Sequence, residues 1–173
     1  MDPKEFTSLV EPHLGVLHRL ARRLTRTRAE AEDLAQEGLI RAFERRSALR
    51  EKDRLRGWLL STVRNLHLNR LRDEKPQLLV LSGLRGMDAK RSGDLEQEIQ
   101  DGALTDELLL ALRRLPEEQS TVLWLRAVEG LSYEELADVM ATPVGTVRSR
   151  LARARAAMIE MLEAQPKAAG GES

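Results

Sequence analysis

The sequence predicts an all-α protein of two small helical domains joined by a flexible linker, with a helix-turn-helix in the C-terminal domain. Two observations favour helices. Aromatic residues are only 3 % of the 173 residues, so the core must consist mainly of Leu, Val and Ala. Apolar residues also recur at helical spacing in two separate parts of the chain. A third observation divides the chain: a central stretch rich in Gly, Ser and charge has no apolar period.

The N-terminal domain is predicted to span residues 1–75 and to contain three helices. Leu and Val recur at helical spacing over residues 4–24, which predicts a first helix. The sequence "TRAE" at residues 27–30 is a capping box that opens a second helix, ending near residue 46. Residues 49–54 are read as a basic loop. The third helix is expected to end before Pro76, because proline disfavours helical backbone at the residue before it.

Residues 76–104 are predicted to form the linker, since "SGLRGMDAKRSGD" has the composition of an irregular segment. The apolar sequence "LLVL" at residues 78–81 is the exception within it. Exposed apolar runs usually find cover. We therefore expect these four residues to dock on a neighbouring core.

The C-terminal domain is predicted to span residues 105–165 and to be divided by clear helix signals, followed by a disordered tail at residues 166–173. Pro116 is expected to be the first residue of a helix that ends at Gly130, a left-handed C-terminal cap. The sequence "SYEE" at residues 132–135 is a second capping box, with Leu131 and Leu136 as its hydrophobic staple. The last helix is expected to follow Thr142 as its N-cap, with Pro143 in its first turn.

Charge is balanced over the whole chain, with 28 basic and 28 acidic residues, but it is segregated locally. Residues 41–56 are predominantly basic, and residues 94–107 are acidic. The stretch "TPVGTVRSRLARARAAM" carries four arginines and no acidic residue. Such segregation suggests two basic surfaces for a polyanion, with the acidic segment held away from it.

The arginine-rich stretch forms the second helix of a predicted helix-turn-helix, the helix that enters the DNA major groove in that motif. A solvated helix face would carry both signs of charge, as "EDLAQEGLIRAFERR" does. Apolar residues at 147, 151, 154 and 158 define the buried stripe. The residues left facing outward are Arg148, Ser149, Arg150, Ala152 and Arg153. Arginine can bond a guanine edge and serine either base type, so we predict DNA binding.

The sequence lacks the residues that several other classes of function require. The chain contains no cysteine, so disulfides and thiolate chemistry are excluded. His13, His18 and His67 have no metal-ligand spacing, and no glycine-rich phosphate motif is present, so we expect neither metal nor cofactor. No nucleophile–base pair supports an enzyme. No apolar run approaches a membrane span and the N-terminus lacks a secretory h-region, so we expect no membrane insertion and a cytoplasmic protein.

Two long stretches resemble one family. The sequence "LPEEQSTVLWLRAVEGLSYEELADVMATPVGTVRSRLARARAAM" resembles the promoter-binding C-terminal domain of bacterial RNA polymerase sigma factors of the extracytoplasmic-function group, in the sigma-70 family. The sequences "AEDLAQEGLIRAFERR" and "WLLSTVRNLHLNRLR" resemble the N-terminal domain of the same group. The resemblance covers about residues 5–75 and 105–162, in the same order and spacing. It implies a transcription initiation factor and not a catalyst.

The resemblance implies three sets of site residues. The helix at residues 31–46 would dock on core RNA polymerase through Asp33, Gln36, Glu37 and Arg41, with Glu44 on the same face. The basic loop and following helix would capture and hold open the minus-10 DNA through Arg50, Lys52, Arg54, Arg56, Arg64 and Asn65. Arg64 also lies opposite the apolar stripe of its own helix. The C-terminal domain would bind the minus-35 DNA through Arg126, Tyr133, Thr146, Arg148, Ser149, Arg150 and Arg153.

The implied partners are core RNA polymerase, promoter DNA and an anti-sigma factor, which the group commonly has. The chain departs from the common family pattern at His67 and Asn69, where members often carry a small and an acidic residue. Two alternatives remain. A helix-turn-helix regulator that does not bind polymerase would leave the N-terminal half without a role, and an RNA-binding or scaffold protein would need stacking aromatics there.

Overall fold

A computed structural model describes residues 1–81 and 105–164, with side chains at residues 1–74 and 105–164. Within these ranges the chain is helical and has no strand, which confirms the predicted all-α class. The N-terminal region contains α1 (Pro3–Val10), α2 (Leu14–Leu24), α3 (Arg28–Glu44) and α4 (Leu55–Leu81). The C-terminal region contains α5 (Asp106–Arg114), α6 (Glu117–Ala127), α7 (Tyr133–Met140) and α8 (Val144–Glu163).

The first predicted helix is divided in two. A 3-10 turn at Glu11–His13 separates α1 from α2, because Pro12 lacks the amide that an α-helix interior requires. The start of α3 is as predicted. The amide of Glu30 donates to the Thr27 hydroxyl at 3.2 Å, and the Glu30 carboxylate accepts from the Thr27 amide at 3.3 Å. The capping box therefore sets where the chain turns into α3.

The predicted end of the third helix is wrong, because α4 continues past Pro76 to Leu81. Proline removes one hydrogen-bond donor and disfavours helix at the preceding residue, but it does not forbid helix where the rest of the segment favours it. The "LLVL" sequence lies within this helix, and its side chains lie outside the described residues, as do residues 82–104 and 165–173.

The basic loop is partly helical. A 3-10 turn at Lys52–Arg54 leads directly into α4, so the arginines on either side of it are fixed relative to that helix. Phe43, near the end of α3, is 38 % exposed. Its ring lies edge-on to Phe6 and under the guanidinium of Arg46, which leaves part of its surface in solvent.

The helix-turn-helix is formed by α7, a three-residue turn and α8. The Ser132 amide donates to the Glu135 carboxylate at 2.8 Å and the Glu135 amide donates to the Ser132 hydroxyl at 3.1 Å, so this capping box is also confirmed. Gly130 has φ +67°, the left-handed conformation predicted for it. Leu131 and Leu136 are both fully buried, as a staple requires.

Two cap assignments in this region are wrong by one residue. Pro116 and Pro143 are N-caps and not the first residues of their helices. The hydroxyl of Thr142 caps nothing, since it is buried without a hydrogen-bond partner. The reason lies in the preceding turn: Ala141 adopts φ +49°, and the Thr142 amide donates back to the Ala137 carbonyl. Thr142 therefore completes α7 and does not begin α8.

The two regions pack against each other, with α4 crossing α7. Within the N-terminal region, α2, α3 and α4 surround a leucine-rich core, and α3 approaches α4 closely at Gly38. Within the C-terminal region, α8 packs on α5, α6 and α7. The largest fully buried side chains among the described residues come from both regions: Leu17, Leu20, Leu34, Leu55, Leu59, Leu60, Val63, Val122, Leu125, Leu131, Leu136 and Leu151. Among the helices described, none is both long and apolar enough to span a bilayer.

Candidate nucleic-acid interface

The outer face of α8 has the orientation that the apolar stripe predicts. Val147, Leu151 and Ala154 are buried. The side chains predicted to meet DNA lie on the other sides of the helix: Arg148, Ser149 and Arg153 are exposed, and Thr146 and Arg150 are half-buried. Arg148 is close to the N-terminal end of α8, the end that meets base edges in a helix-turn-helix, and Arg153 lies in the middle of that helix.

Tyr133, the first residue of α7, contacts two of the arginines that are predicted to bind minus-35 DNA. Its ring lies 5.0 Å from the guanidinium carbon of Arg126 and 5.6 Å from that of Arg148, within the range of cation–π interactions. Arg126 also donates to the Leu131 carbonyl at 2.6 Å. The arrangement brings a residue of α6, a residue of α7 and a residue of α8 to one basic surface.

Arg150 differs from its neighbours on α8. Its Nη2 lies 2.9 Å from Oε2 of Glu118, the second residue of α6. Its side chain is 22 % exposed, and its Nη1 is buried without a hydrogen-bond partner. Arg150 is therefore directed toward α6, away from the surface formed by the other predicted minus-35 residues.

A cleft of about 370 Å³ lies beside the basic loop at the start of α4. The loop residues 48–51 form one wall, and Trp58 and Ser61 of α4 form another. Arg50 lines this cleft and is exposed, so a cation and an aromatic side chain face the same space. The cleft has the composition that capture of an unpaired nucleobase requires. Arg54 and Asp138, the latter from α7, pair with each other and complete its lining.

Three predicted minus-10 cations next to this cleft are paired with carboxylates. Arg54 Nη2 donates to both oxygens of Asp138, at 2.5 and 2.7 Å. Arg56 donates from Nε and Nη2 to the two oxygens of Glu135, at 2.7 and 2.6 Å. Lys52 pairs with Glu5 of α1. The Glu135 hydrogen bond raises the pKa of Arg56, and the Asp138 hydrogen bond raises the pKa of Arg54.

Arg64 and Asn65 have different environments, although they are adjacent in α4. Arg64 was expected to face outward, but it is only 6 % exposed, because α6 covers it and Glu118 accepts a hydrogen bond from its Nη2 at 3.1 Å. Burial lowers the pKa of Arg64 from its ordinary value, against the attraction of Glu118. Asn65 is exposed, and its amide nitrogen lies 3.4 Å from the Ser61 hydroxyl. Only Asn65 of this pair is open to solvent in this arrangement.

The polar face of α3 is present as predicted and includes a residue that the sequence did not reveal. Asp33 and Gln36 are exposed, and Glu37 and Arg41 are half-buried and joined by a hydrogen bond of 2.8 Å. Arg70 of α4 donates to Asp33 at 2.8 Å and also pairs with Glu37. The Arg70 hydrogen bond lowers the pKa of Glu37. This face is therefore a fixed network of opposite charges.

Sequence reasoning missed Arg70 and the acidic residues that contact α4 from the C-terminal region. Asp33 and Glu37, one turn apart on α3, indicated that a basic partner was needed. That partner is Arg70, and its position depends on how α4 packs on α3. His67 lies 3.6 Å from Glu117, and no cluster within the described ranges could hold a metal ion.

Comparison with known families matches both regions. The sigma-70 region 2 model matches residues 9–77 and the sigma-70 region 4 model matches residues 105–158. The chain is 34 % identical to the RNA polymerase sigma-H factor of Pseudomonas aeruginosa, over 94 % of this chain and 88 % of that protein. It is 33 % identical to the ECF RNA polymerase sigma-E factor of Haemophilus influenzae, over 94 % of this chain and 87 % of that protein.

Solved structures show the same fold. The sigma factor RpoE, solved with the anti-sigma factor NepR from Bartonella quintana, superposes with a TM-score of 0.72 at 24 % identity, over 94 % of this chain and 99 % of that one. CnrH, solved with the cytosolic domain of CnrY, superposes with a TM-score of 0.64 at 25 % identity, over 95 % of this chain and 92 % of that one. With both sigma-70 regions present and relatives matched over nearly the whole chain, the protein belongs to the sigma-70 family, among the extracytoplasmic-function RNA polymerase sigma factors.

Proposed function

We propose that the protein is a transcription initiation factor that binds core RNA polymerase and directs it to promoters by minus-35 recognition and by minus-10 recognition and melting. One observation carries the proposal: a single chain holds a one-sided polar face on α3 and, in the following sigma region, outward arginines on a helix-turn-helix. A regulator that acts without polymerase would need only the second of these.

The C-terminal domain, residues 105–165, is proposed to bind the minus-35 element. Arg148, Ser149 and Arg153 are exposed on the outer face of α8, so they would read base edges. Arg126 of α6 and Tyr133 of α7 would contact phosphates, since the Tyr133 ring lies against both Arg126 and Arg148. Thr146 and Arg150 would complete the contact, with Arg150 released from Glu118.

The N-terminal domain, residues 1–75, is proposed to hold polymerase and the minus-10 strand. The polymerase contacts would be Asp33, Gln36, Glu37 and Arg41, which share one face of α3. The cleft between the basic loop and Trp58 would hold an unpaired base, and the surrounding cations and Asn65 would hold the separated strand, which costs a few kcal/mol per base to form. The cations are Arg50, Lys52, Arg54, Arg56 and Arg64.

An anti-sigma factor is the further partner that we propose. Two structures of similar fold contain, by their descriptions, a sigma factor with NepR and CnrH with a domain of CnrY. Copurification from native cells under non-inducing conditions tests this, and recovery only as free protein or with polymerase would contradict it. The initiation factor would have no catalytic role of its own, and it would act in the cytoplasm with the polymerase.

The test of the main proposal is assembly with core polymerase, followed by run-off transcription on promoters selected by that holoenzyme from a random duplex library. The double variant Asp33→Ala/Gln36→Ala should compete at least tenfold less well for core polymerase, because it removes the exposed half of the α3 face. Glu11→Ala is the control, since it removes an exposed carboxylate outside α3. Promoter binding by the chain without any association with core polymerase would instead identify a regulator.

A further inference from the structure

Three of the four α3 residues proposed to contact polymerase are joined to one arginine of another helix. Arg70 of α4 donates from Nη2 to Oδ2 of Asp33 at 2.8 Å, and the same nitrogen donates to Oε2 of Glu37. The other oxygen of Glu37, Oε1, accepts from Nη2 of Arg41 at 2.8 Å. Arg70 is therefore bonded directly to Asp33 and Glu37, and it is connected to Arg41 through Glu37.

The packing of α3 against α4 brings Arg70 to this face. The two helices approach closely at Gly38, where an added Cβ would lie 2.5 Å from Cγ2 of Val63. Arg70 lies seven residues after Val63, two helical turns further along the same side of α4. From there its guanidinium reaches Asp33 and Glu37, which are one turn apart on α3. The contact between the helices, and not α3 alone, therefore sets where this guanidinium lies.

The exposure of these side chains determines what Arg70 can contribute. The side chain of Asp33 is 70 % exposed, and those of Arg70, Glu37 and Arg41 are between 31 and 41 % exposed. Ion pairs this open to solvent add little to the free energy of unfolding, because water screens them. They do restrict the side chains that form them. A partner that meets an ordered face avoids the cost of ordering those side chains on binding.

The α3 face would be less ordered without Arg70. Asp33 and Glu37 are like charges one turn apart on a helix, so they would repel each other. Arg41 would remain hydrogen-bonded to Glu37 alone. The Arg70 hydrogen bond also lowers the pKa of Glu37, against the partial burial of that carboxyl, so Glu37 stays charged. Arg70 thus holds the two carboxylates side by side in one orientation.

We propose that Arg70 is a positioning residue for polymerase binding, which orders Asp33 and Glu37 before polymerase arrives and does not contact polymerase itself. Arg41 is ordered in turn through Glu37. This inference rests on the proposed function, because it assumes that the α3 face binds polymerase. Gln36, the fourth residue of that face, is exposed and makes none of the bonds described above. Its contribution to polymerase binding should therefore not depend on Arg70.

The test measures how well each variant competes with the fluorescein-labelled unmodified chain for core polymerase. Arg70→Met removes the guanidinium and keeps a long unbranched side chain, and it should compete about five- to tenfold less well, because two carboxylates must then be ordered on binding. The control Arg72→Met removes the same charge from an exposed position of α4, and it should change competition by less than about twofold. Equal losses in both variants would reduce the effect to net charge and overturn the proposal.

Two double-mutant cycles separate positioning from direct contact with polymerase. In the background Asp33→Ala/Glu37→Ala, Arg70→Met should cause no further loss, because the carboxylates that Arg70 positions are absent. In the background Gln36→Ala it should cause its full loss. A full further loss in the first background would mean that Arg70 contacts polymerase itself or acts through the stability of the fold, and either result would overturn the proposal.

The same measurements distinguish this inference from the proposed function. No loss of competition for Asp33→Ala/Glu37→Ala would contradict the assignment of these carboxylates to polymerase. A loss for that variant without a loss for Arg70→Met would leave the assignment intact and overturn only the role of Arg70. In urea, Arg70→Met should unfold at the same midpoint as Arg72→Met, because exposed ion pairs add little stability. A midpoint lowered in proportion to the weaker competition would assign the effect to stability and overturn the proposal.

Discussion

The two arginine-rich surfaces of this chain differ in what their guanidinium groups contact. On α8, Arg148 and Arg153 are exposed. At the start of α4, Arg54 and Arg56 hold carboxylates of the other region, and Arg64 is covered by α6. Arginine content alone therefore does not define an available DNA surface. What a neighbouring helix places opposite the arginines decides whether they are free to bind.

The largest effect is expected for Arg64 and Asn65, which are adjacent in α4 and differ in burial. Asn65→Ala should reduce strand opening more than initial promoter binding. Asn65 is exposed and lies against Ser61, which lines the cleft proposed for an unpaired base. Arg64→Ala should do the same and should also weaken the contact with α6. A lost hydrogen bond to a charged group costs about 1.5–3 kcal/mol, so the open fraction should fall by about tenfold or more.

Permanganate reactivity of minus-10 thymines in the holoenzyme measures this opening, and gel retardation measures initial binding. Asn69→Ala is the control, since Asn69 is exposed one helical turn further along α4. Normal opening together with weakened initial binding would mean that Arg64 and Asn65 hold only duplex DNA.

The outward surface is expected to contain two kinds of arginine. Arg148→Ala should cost about 1–3 kcal/mol of holoenzyme binding and relax preference at one base pair of the minus-35 element. Arg126→Ala should weaken binding to all sequences alike and lower the salt slope by about 1, because it would remove a phosphate contact.

Holoenzyme affinity for a selected promoter and for one with a scrambled minus-35 element, at several salt concentrations, separates the two variants. Arg155→Ala is the control, as an exposed arginine further along α8. An equal loss on both duplexes for Arg148→Ala would reassign Arg148 to phosphate and change the orientation of α8 on DNA.

Gly38 in the N-terminal region and Gly145 in the C-terminal region differ in the space available to a side chain, and this difference should affect stability. A Cβ at Gly38 would lie 2.5 Å from Cγ2 of Val63, a side chain too stiff to move aside, whereas a Cβ at Gly145 would meet nothing within 4 Å. Overpacking costs about 1–3 kcal/mol, and the gain in helix propensity offsets part of it. We expect Gly38→Ala to lose about 1–2 kcal/mol in urea unfolding, and Gly145→Ala to lose none.

The smallest effect concerns pH at the contact between the regions. Burial, and then the nearby charge of Arg56, lower the pKa of His13 below its ordinary 6.5, against Glu135. Because the pKa of His13 is lower in the folded protein than in the unfolded chain, folding favours the neutral imidazole. Its contribution to the free energy of unfolding is therefore fully present above pH 6.5, and it is lost as the pH falls through the pKa of the folded protein. The loss should be less than about 1 kcal/mol, because the site is partly solvated.

Urea midpoints between pH 7.5 and 5 measure this loss. His13→Gln should flatten the profile, and His18→Gln, at an exposed position of α2, should leave it unchanged. A profile unchanged by His13→Gln would assign the pH dependence to other groups. Below pH 4.5 a further loss should appear, because hydrogen bonds from Arg56 and Ser132 outweigh burial and lower the pKa of Glu135.

Local signals in the sequence predicted the helices that begin with a cap. Both capping boxes and the left-handed Gly130 are present as predicted, because the interactions that form them span only a few residues. The errors occur where local rules compete with one another. Pro76 did not end α4, and the Thr142 hydroxyl lost its capping role to the turn that follows Ala141.

The sequence by itself determined the helical class and most of the outer face of the recognition helix, because a buried stripe at helical spacing fixes the opposite face. The cap of that helix is one residue later than predicted, and Arg150 is directed toward α6 instead of outward. Only the tertiary structure decided which cations have partners. The pairs Arg64–Glu118 and Arg56–Glu135 join positions 54 and 79 residues apart. No periodic pattern encodes such pairs, because they depend on how α4 packs against the C-terminal helices.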